Sequence, residues 1–131
     1  VYSLCDRVLD EEGRLDIYYA NGGISPWKML TVLSLDDLIT TIKINTGAAF
    51  LGLKDGSKAM AVTSTKKSDS SGSIIFTASF VAGLRGNAGP LDCECSEANA
   101  SSINNPAMAS AIHLAGQNIR VNSICPGLVD V

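Results

Sequence analysis

The sequence predicts an α/β fold built on a parallel sheet, and three observations carry that reading. Segments with helically spaced apolar residues alternate with short apolar, β-branched ones, in the order helix, strand, helix, strand, helix, strand. Long helical segments between successive strands imply right-handed crossovers and parallel pairing. Twelve glycines and only 5% aromatic residues suit tight strand–helix turns better than a β-sandwich. At 131 residues and 46% hydrophobic content, the chain suffices for one ordinary domain with a real core.

The elements follow in order. In "VYSLCDRVLDEEG", Val1, Leu4, Cys5, Val8 and Leu9 fall at helical spacing, and Gly13 supplies the stop. "RLDIYYANGG" is expected to be a short buried strand running into a glycine turn. "SLDDLITTIKINTGAAFLGLKDGSKAM" predicts one long helix, capped by Ser34 with Asp37 three residues on, as in a capping box. Its Leu38, Ile42, Asn45, Ala49, Leu53 and Ser57 share one stripe. "KKSDSSG" breaks the chain, and "SIIFTASF" forms the second strand. "PAMASAIHLAG" reads as a helix closed by Gly116, and "IRVNSICPG" as a third strand stopped by Pro126. In such sheets ligands bind beyond the carboxyl ends of the strands. Those ends fall at residues 21–23, 77–79 and 125–127, all small or polar.

Composition excludes several classes. Net charge is −3 and the ten Lys and Arg are scattered, which argues against a nucleic-acid partner. No apolar run approaches the roughly 18 residues a membrane span needs. The N-terminus "VYSLCDRVLDEEGR" has acids where a signal peptide would have bases, so a cytoplasmic setting is expected. The chain begins without Met, consistent with a processed product, a fragment or part of something larger. Cys5 and Cys125 sit in apolar contexts that predict buried free thiols. Cys93 and Cys95 have the wrong spacing for a zinc knuckle and His113 is distant, so no metal site is expected.

The ordered segments resemble the short-chain dehydrogenase/reductase family, an NAD(P)-dependent Rossmann-type group. "LDIYYANGGI" resembles the family's "LDILVNNAGI" strand, with Ala20, Asn21, Gly22 and Gly23 at its Asn-Asn-Ala-Gly. "IKINTGAAFLGLKDGSKAM" resembles its fourth helix and places Asn45 at the Asn of the catalytic set. "GSIIFTASFVAGLRGNAGP" resembles the strand that delivers the catalytic Ser, here Ser79. "LAGQNIRVNSICPGLVDV" resembles the next strand, with Pro126 and Gly127 in the turn beside the nicotinamide. The resemblance implies a Rossmann-like three-layer parallel sheet, here partial, with about three strands and flanking helices. It also implies NAD or NADP as cofactor, a small alcohol or ketone as substrate, and cofactor contacts at Asn21, Gly22, Gly23, Pro126 and Gly127. The family pairs its fourth and fifth long helices across a dimer. A homo-oligomer through the helices around 36–60 and 98–115 is therefore expected.

The departures are as informative. Residues 1–131 read as a single truncated domain, lacking the family's N-terminal glycine-rich unit and its C-terminal substrate region. The family's general acid/base is a Tyr whose phenolate is stabilised by a Lys four residues later. Counting from Ser79 puts Cys93 at the Tyr position and Glu97 at the Lys position. Counting back from the following helix puts Cys95 and Asn99 there instead. Neither register restores the pair. A Cys side chain is too short to replace the phenol, and a Glu opposes the anion it should stabilise. Against these readings stand plainer ones. Ser79 can be the polar end of a strand, and Asn45 can bridge backbone groups at a helix kink. Cys93 and Cys95 can form a thiol pair near a helix start, His113 can lie on a helix surface, and Pro106 should bend or restart its helix. Two functions remain: an impaired oxidoreductase, or a non-catalytic module that keeps the dimer-forming helices.

Overall fold

A computed structural model of the chain describes residues 2–24, 26, 28–79 and 101–127. Helix α1 (Tyr2–Glu12) leads into strand β1 (Ile17–Ala20). A short 3-10 turn (Leu30–Val32) precedes α2 (Leu35–Ile42), which continues through a π turn (Lys43–Gly47) into α3 (Ala48–Ala61). Strand β2 (Gly72–Thr77), helix α4 (Ser101–Leu114), a 3-10 turn (Ala115–Gln117) and β3 (Ile119–Ile124) complete the described order. The sheet has three strands in the order β1-β2-β3, and both pairings are parallel. The predicted α/β arrangement is thus the observed one.

Local signals act as their chemistry dictates. Gly13 ends α1 with φ +72°, a conformation that L side chains rarely adopt, and donates to the Leu9 carbonyl at 2.8 Å. The capping box forms in full: Asp37 N–H donates to Ser34 Oγ while the Asp37 carboxylate accepts from the Ser34 N–H. Lys28 Nζ joins the same carboxylate at 2.7 Å. Lys28 first, then Ser34, hold the Asp37 carboxyl at about 2, down from its ordinary 3.8. A depressed carboxyl stabilises the fold above its unfolded-state value and loses that contribution as pH falls through the folded value. The stability difference between wild type and Asp37→Asn should therefore vanish as pH drops from about 4 to about 2. Urea titrations across that window would show it.

Register places Tyr18, Ile74 and Val121 on one face of the sheet, one pair-step from Ala20 and Phe76. That face receives the helices. Ile74 is 0% exposed, a burial worth about 2–3 kcal/mol, and it packs in one cluster with Met60, Phe76, Ala107 and Ile119. The opposite face is not covered by any described helix. Ile17 and Tyr19 are 64% and 54% exposed, so β1 is not the buried strand its composition predicts. Apolar strands of parallel sheets are normally covered on both sides; here the described helices reach one.

Three further expectations change. The stripe of Leu38, Ile42, Asn45, Ala49, Leu53 and Ser57 is half-buried throughout, and the buried positions are Thr41, Gly52, Asp55, Gly56, Ala59 and Met60. Closest approach to the sheet is made by glycines, because Gly52 and Gly56 admit the Tyr18 ring. Helix α4 does not restart at Pro106 but runs through it from Ser101, at the cost of one N–H bond and of the ring's crowding against the carbonyl four residues back. The chain reverses after α4 at Asn118 (φ 55°), not at Gly116. Asn suits this position because it tolerates the left-handed region better than other side chains, and the Asn118 carbonyl accepts from Gly72 N–H, which starts β2 beside β3.

The amino end of the sheet is tied by a buried cation that the sequence gives as part of a loop. Lys67, 4% exposed, donates to the carbonyls of Leu15 (2.7 Å), Met60 (2.9 Å) and Ser71 (2.6 Å). Arg14 grips Asp16 with two hydrogen bonds and donates to the Lys66 carbonyl at 2.6 Å. These contacts join the exits and entries of α3, β1 and β2, at the end of the sheet away from the strand carboxyl termini.

The thiols differ. Cys5 is buried, and burial first, then the charge of Asp55, push it above its ordinary value. Cys125, expected to be buried, is exposed because it lies just past the last residue of β3. Under native conditions an alkylating reagent should modify Cys125 and spare Cys5 until denaturant is added, which peptide mass spectrometry resolves site by site.

Candidate functional site at the carboxyl ends of the strands

Parallel pairing brings the three strand ends to one edge, with Thr77 beside Ile124 and the Ala78 N–H donating to the Ile124 carbonyl at 2.8 Å. Ser79 follows, half-buried, and the exposed Pro126 and Gly127 extend the neighbouring end. Asn21, Gly22 and Gly23 form the turn beyond β1 and are exposed. Among the described residues, nothing beyond its chain neighbours lies within 4 Å of where a Cβ on Gly22 would sit, so none of them closes off the backbone there.

Asn45 lies at the centre of the π turn that interrupts the long helix. An extra residue in a helical turn re-aims a side chain, and such turns recur at functional sites. Asn45 Oδ1 accepts from Ile24 N–H at 2.8 Å, and its Nδ2 donates to the Ile24 carbonyl at 3.0 Å. The backbone bridge anticipated from sequence is therefore made, and it fixes the glycine turn from the helix side. Gly23 is suited to this place: a Cβ there would come 3.3 Å from Asn45 Oδ1.

A second set of contacts was not legible in the motifs. Thr77 Oγ1 lies 2.6 Å from Asn21 Oδ1 and 3.0 Å from the Tyr19 hydroxyl, which is itself 3.2 Å from Asn21 Oδ1. A cavity of about 190 Å3 opens among Tyr18, Tyr19, Asn21, Gly22, Asn45 and Thr77. The Tyr18 hydroxyl is pushed above its ordinary value by burial, with the charges of Cys5 and Asp55 adding to it.

Of the sequence-predicted residues, Asn21, Gly22, Gly23 and Asn45 converge on one turn, and Ser79, Pro126 and Gly127 occupy adjoining strand ends. Cys93 and Glu97, with the alternatives Cys95 and Asn99, lie outside the described residues. His113 is exposed on α4. Among the described residues, no group of three or more His, Cys, Asp or Glu could hold a metal ion.

Residues 1–131 match the short chain dehydrogenase family throughout. The chain belongs to the short-chain dehydrogenase/reductase family. Tropinone reductase-like 1 of Erythroxylum coca is 34% identical to it, over 98% of this chain and 46% of that protein. The 3-oxoacyl-(acyl-carrier-protein) reductase FabG of Thermotoga maritima is 27% identical, over 99% of this chain and 49% of its own length. A short-chain dehydrogenase from Burkholderia cenocepacia J2315, solved with NADP, superposes with a TM-score of 0.78 at 27% identity. That match covers 98% of this chain and 48% of the solved one. A putative family member from Burkholderia xenovorans shares the fold, with a TM-score of 0.80 at 24% identity. The chain thus spans about half the length of these short-chain dehydrogenase/reductase relatives. No helix among its described residues is long and apolar enough to cross a membrane.

Proposed function

We propose that this chain carries the strand-end half of an NAD(P)-dependent oxidoreductase site for a small alcohol or ketone, acting in the cytoplasm, and that on its own it turns over little. The observation that carries the reading is the Asn45 bridge. It holds an open glycine turn at the carboxyl ends of parallel strands, where the family resemblance puts the nicotinamide. The uncharged turn at Asn21, Gly22 and Gly23, with Pro126 and Gly127 across the sheet end, fits the amide and sugar of such a group. Residues 21–23, 126 and 127 would hold the nicotinamide, whose chemistry would be hydride exchange with substrate.

The chain's own residues supply only part of the remaining chemistry. Ser79 would hold the substrate oxygen, and Asn45 would keep the turn in place. Cys93 and Glu97, or Cys95 and Asn99 in the other register, stand where the family has Tyr and Lys, so no phenol is tuned to pass the proton. Residues 1–131 by themselves supply no glycine-rich cradle for the pyrophosphate, so this stretch alone would grip a dinucleotide weakly. Titration with NADPH should reveal weak but saturable binding, and a panel of ketones should not accelerate its oxidation. Robust ketone-dependent turnover would refute the impairment, and absence of any saturable binding would refute the nucleotide site.

A second reading, a non-catalytic module that associates through its helices, has its own support. Leu35 and Phe50 on α2 and α3, and Met108 and Ile112 on α4, are 70%, 62%, 65% and 78% exposed. Between these helices runs an apolar groove of about 400 Å3 lined by residues such as Ile42, Leu53, Phe76 and Ile103. Sedimentation should then give a dimer that Ile112→Lys disrupts; a strictly monomeric, folded chain would count against this association.

A further inference from the structure

The turn after β1 is held at both ends, and the two holds have different origins. Asn45 grips Ile24 at the far end, as the family resemblance leads one to expect of that Asn. The near end is gripped through Asn21 by Thr77 and Tyr19. The family's "LDILVNNAGI" has Val where this chain has Tyr19, so this hold depends on a residue particular to the chain. Its three contacts of 2.6, 3.0 and 3.2 Å share only two hydroxyl hydrogens. The Thr77 hydrogen is divided between Asn21 Oδ1, at the shortest contact, and the Tyr19 hydroxyl, and the Tyr19 hydrogen goes to Asn21 Oδ1. Asn21 lines the cavity, and with its carbonyl oxygen engaged by these hydroxyls its NH2 group is what it has left to offer a ligand. Every described residue lining that cavity is uncharged. A neutral donor set of this kind suits a neutral oxygen acceptor, such as a sugar hydroxyl, better than a phosphate.

We infer that Tyr19 and Thr77 are positioning residues, which set the Asn21 amide to receive a sugar hydroxyl oxygen of the nicotinamide riboside end of a nucleotide. This rests on the nucleotide reading above. Holding the acceptor side of Asn21 in advance lowers the ordering cost of binding, which otherwise comes out of affinity.

The test compares wild type with Tyr19→Phe, Thr77→Val and the double variant. Dissociation constants are measured for NADPH and for reduced nicotinamide riboside by ligand fluorescence, alongside thermal unfolding. Each single variant should weaken both ligands about 5- to 10-fold. The double should be weaker than the worse single by less than about twofold, because the two residues act as one unit. Tm should stay within about 2 °C of wild type, since only exposed hydroxyls are removed. Saturable binding by wild type with unaltered affinity in the variants would overturn the inference and leave the nucleotide reading standing, whatever Tm does. Absence of saturable binding in wild type would overturn both.

Discussion

Lys67→Met is expected to lower the unfolding free energy by about 3 kcal/mol. The substitution keeps the length of the aliphatic stem but removes the ammonium from three carbonyls, those of Leu15, Met60 and Ser71. These carbonyls belong to three separate segments of the chain, which the one ammonium holds together. Asp16 Oδ1, 3.6 Å from Lys67 Nζ, also loses a compensating charge. Burial is what gives the effect its size: the Lys67 side chain is 2% exposed, whereas an exposed ion pair contributes well under 1 kcal/mol. Arg7, paired with Glu11 at 3.6 Å on the surface of α1, serves as the contrast; Arg7→Met should change the urea midpoint little. Urea unfolding should show the Lys67→Met midpoint shifted with an unchanged slope, and a near-wild-type midpoint would contradict the account.

Gly52→Ala should cost about 1–3 kcal/mol by overpacking. A Cβ there would lie 2.5 Å from Tyr18 Cε1 and 3.0 Å from its Cζ and hydroxyl. The ring cannot retreat freely, because Gly56 already sits against its other edge, where a Cβ would come within 3.3 Å. This contact sets how closely α3 approaches β1. The family strand quoted above has Leu at this position, so the double variant Tyr18→Leu, Gly52→Ala should recover most of the loss. If Gly52→Ala alone unfolds like wild type, α3 does not sit as closely on β1 as the contact requires.

What the sequence made legible was local or periodic. Gly13 and the Ser34–Asp37 box act within one helical turn, so their residues suffice to place them. The alternation of strands and helices gave the parallel sheet, and the strand ends followed from it. Features that depend on distant partners were hidden. Lys67 reads as part of a polar loop until Leu15, Met60 and Ser71 close around it. The far partner of Asn45 is the backbone of Ile24, which no spacing rule connects to it. Asn118 rather than Gly116 takes the left-handed turn, directly before β3 and bonded through its carbonyl to Gly72 across the sheet. Tyr19 looked like one more apolar strand residue, and only its approach to Thr77 reveals its hydroxyl as part of the site. The apolar composition of β1 suggested burial, yet burial depends on what covers the second face, and composition does not say what does.

Chemical-shift mapping of NADPH on the 15N-labelled chain tests the central claim most directly, because it locates binding without requiring turnover. The account predicts saturable shifts concentrated at residues 21–24, 45, 77–79 and 125–127, with residues around Lys67 at the other end of the sheet unmoved. Saturable shifts centred on the amino ends of the strands, or none at the carboxyl ends at saturating NADPH, would contradict it.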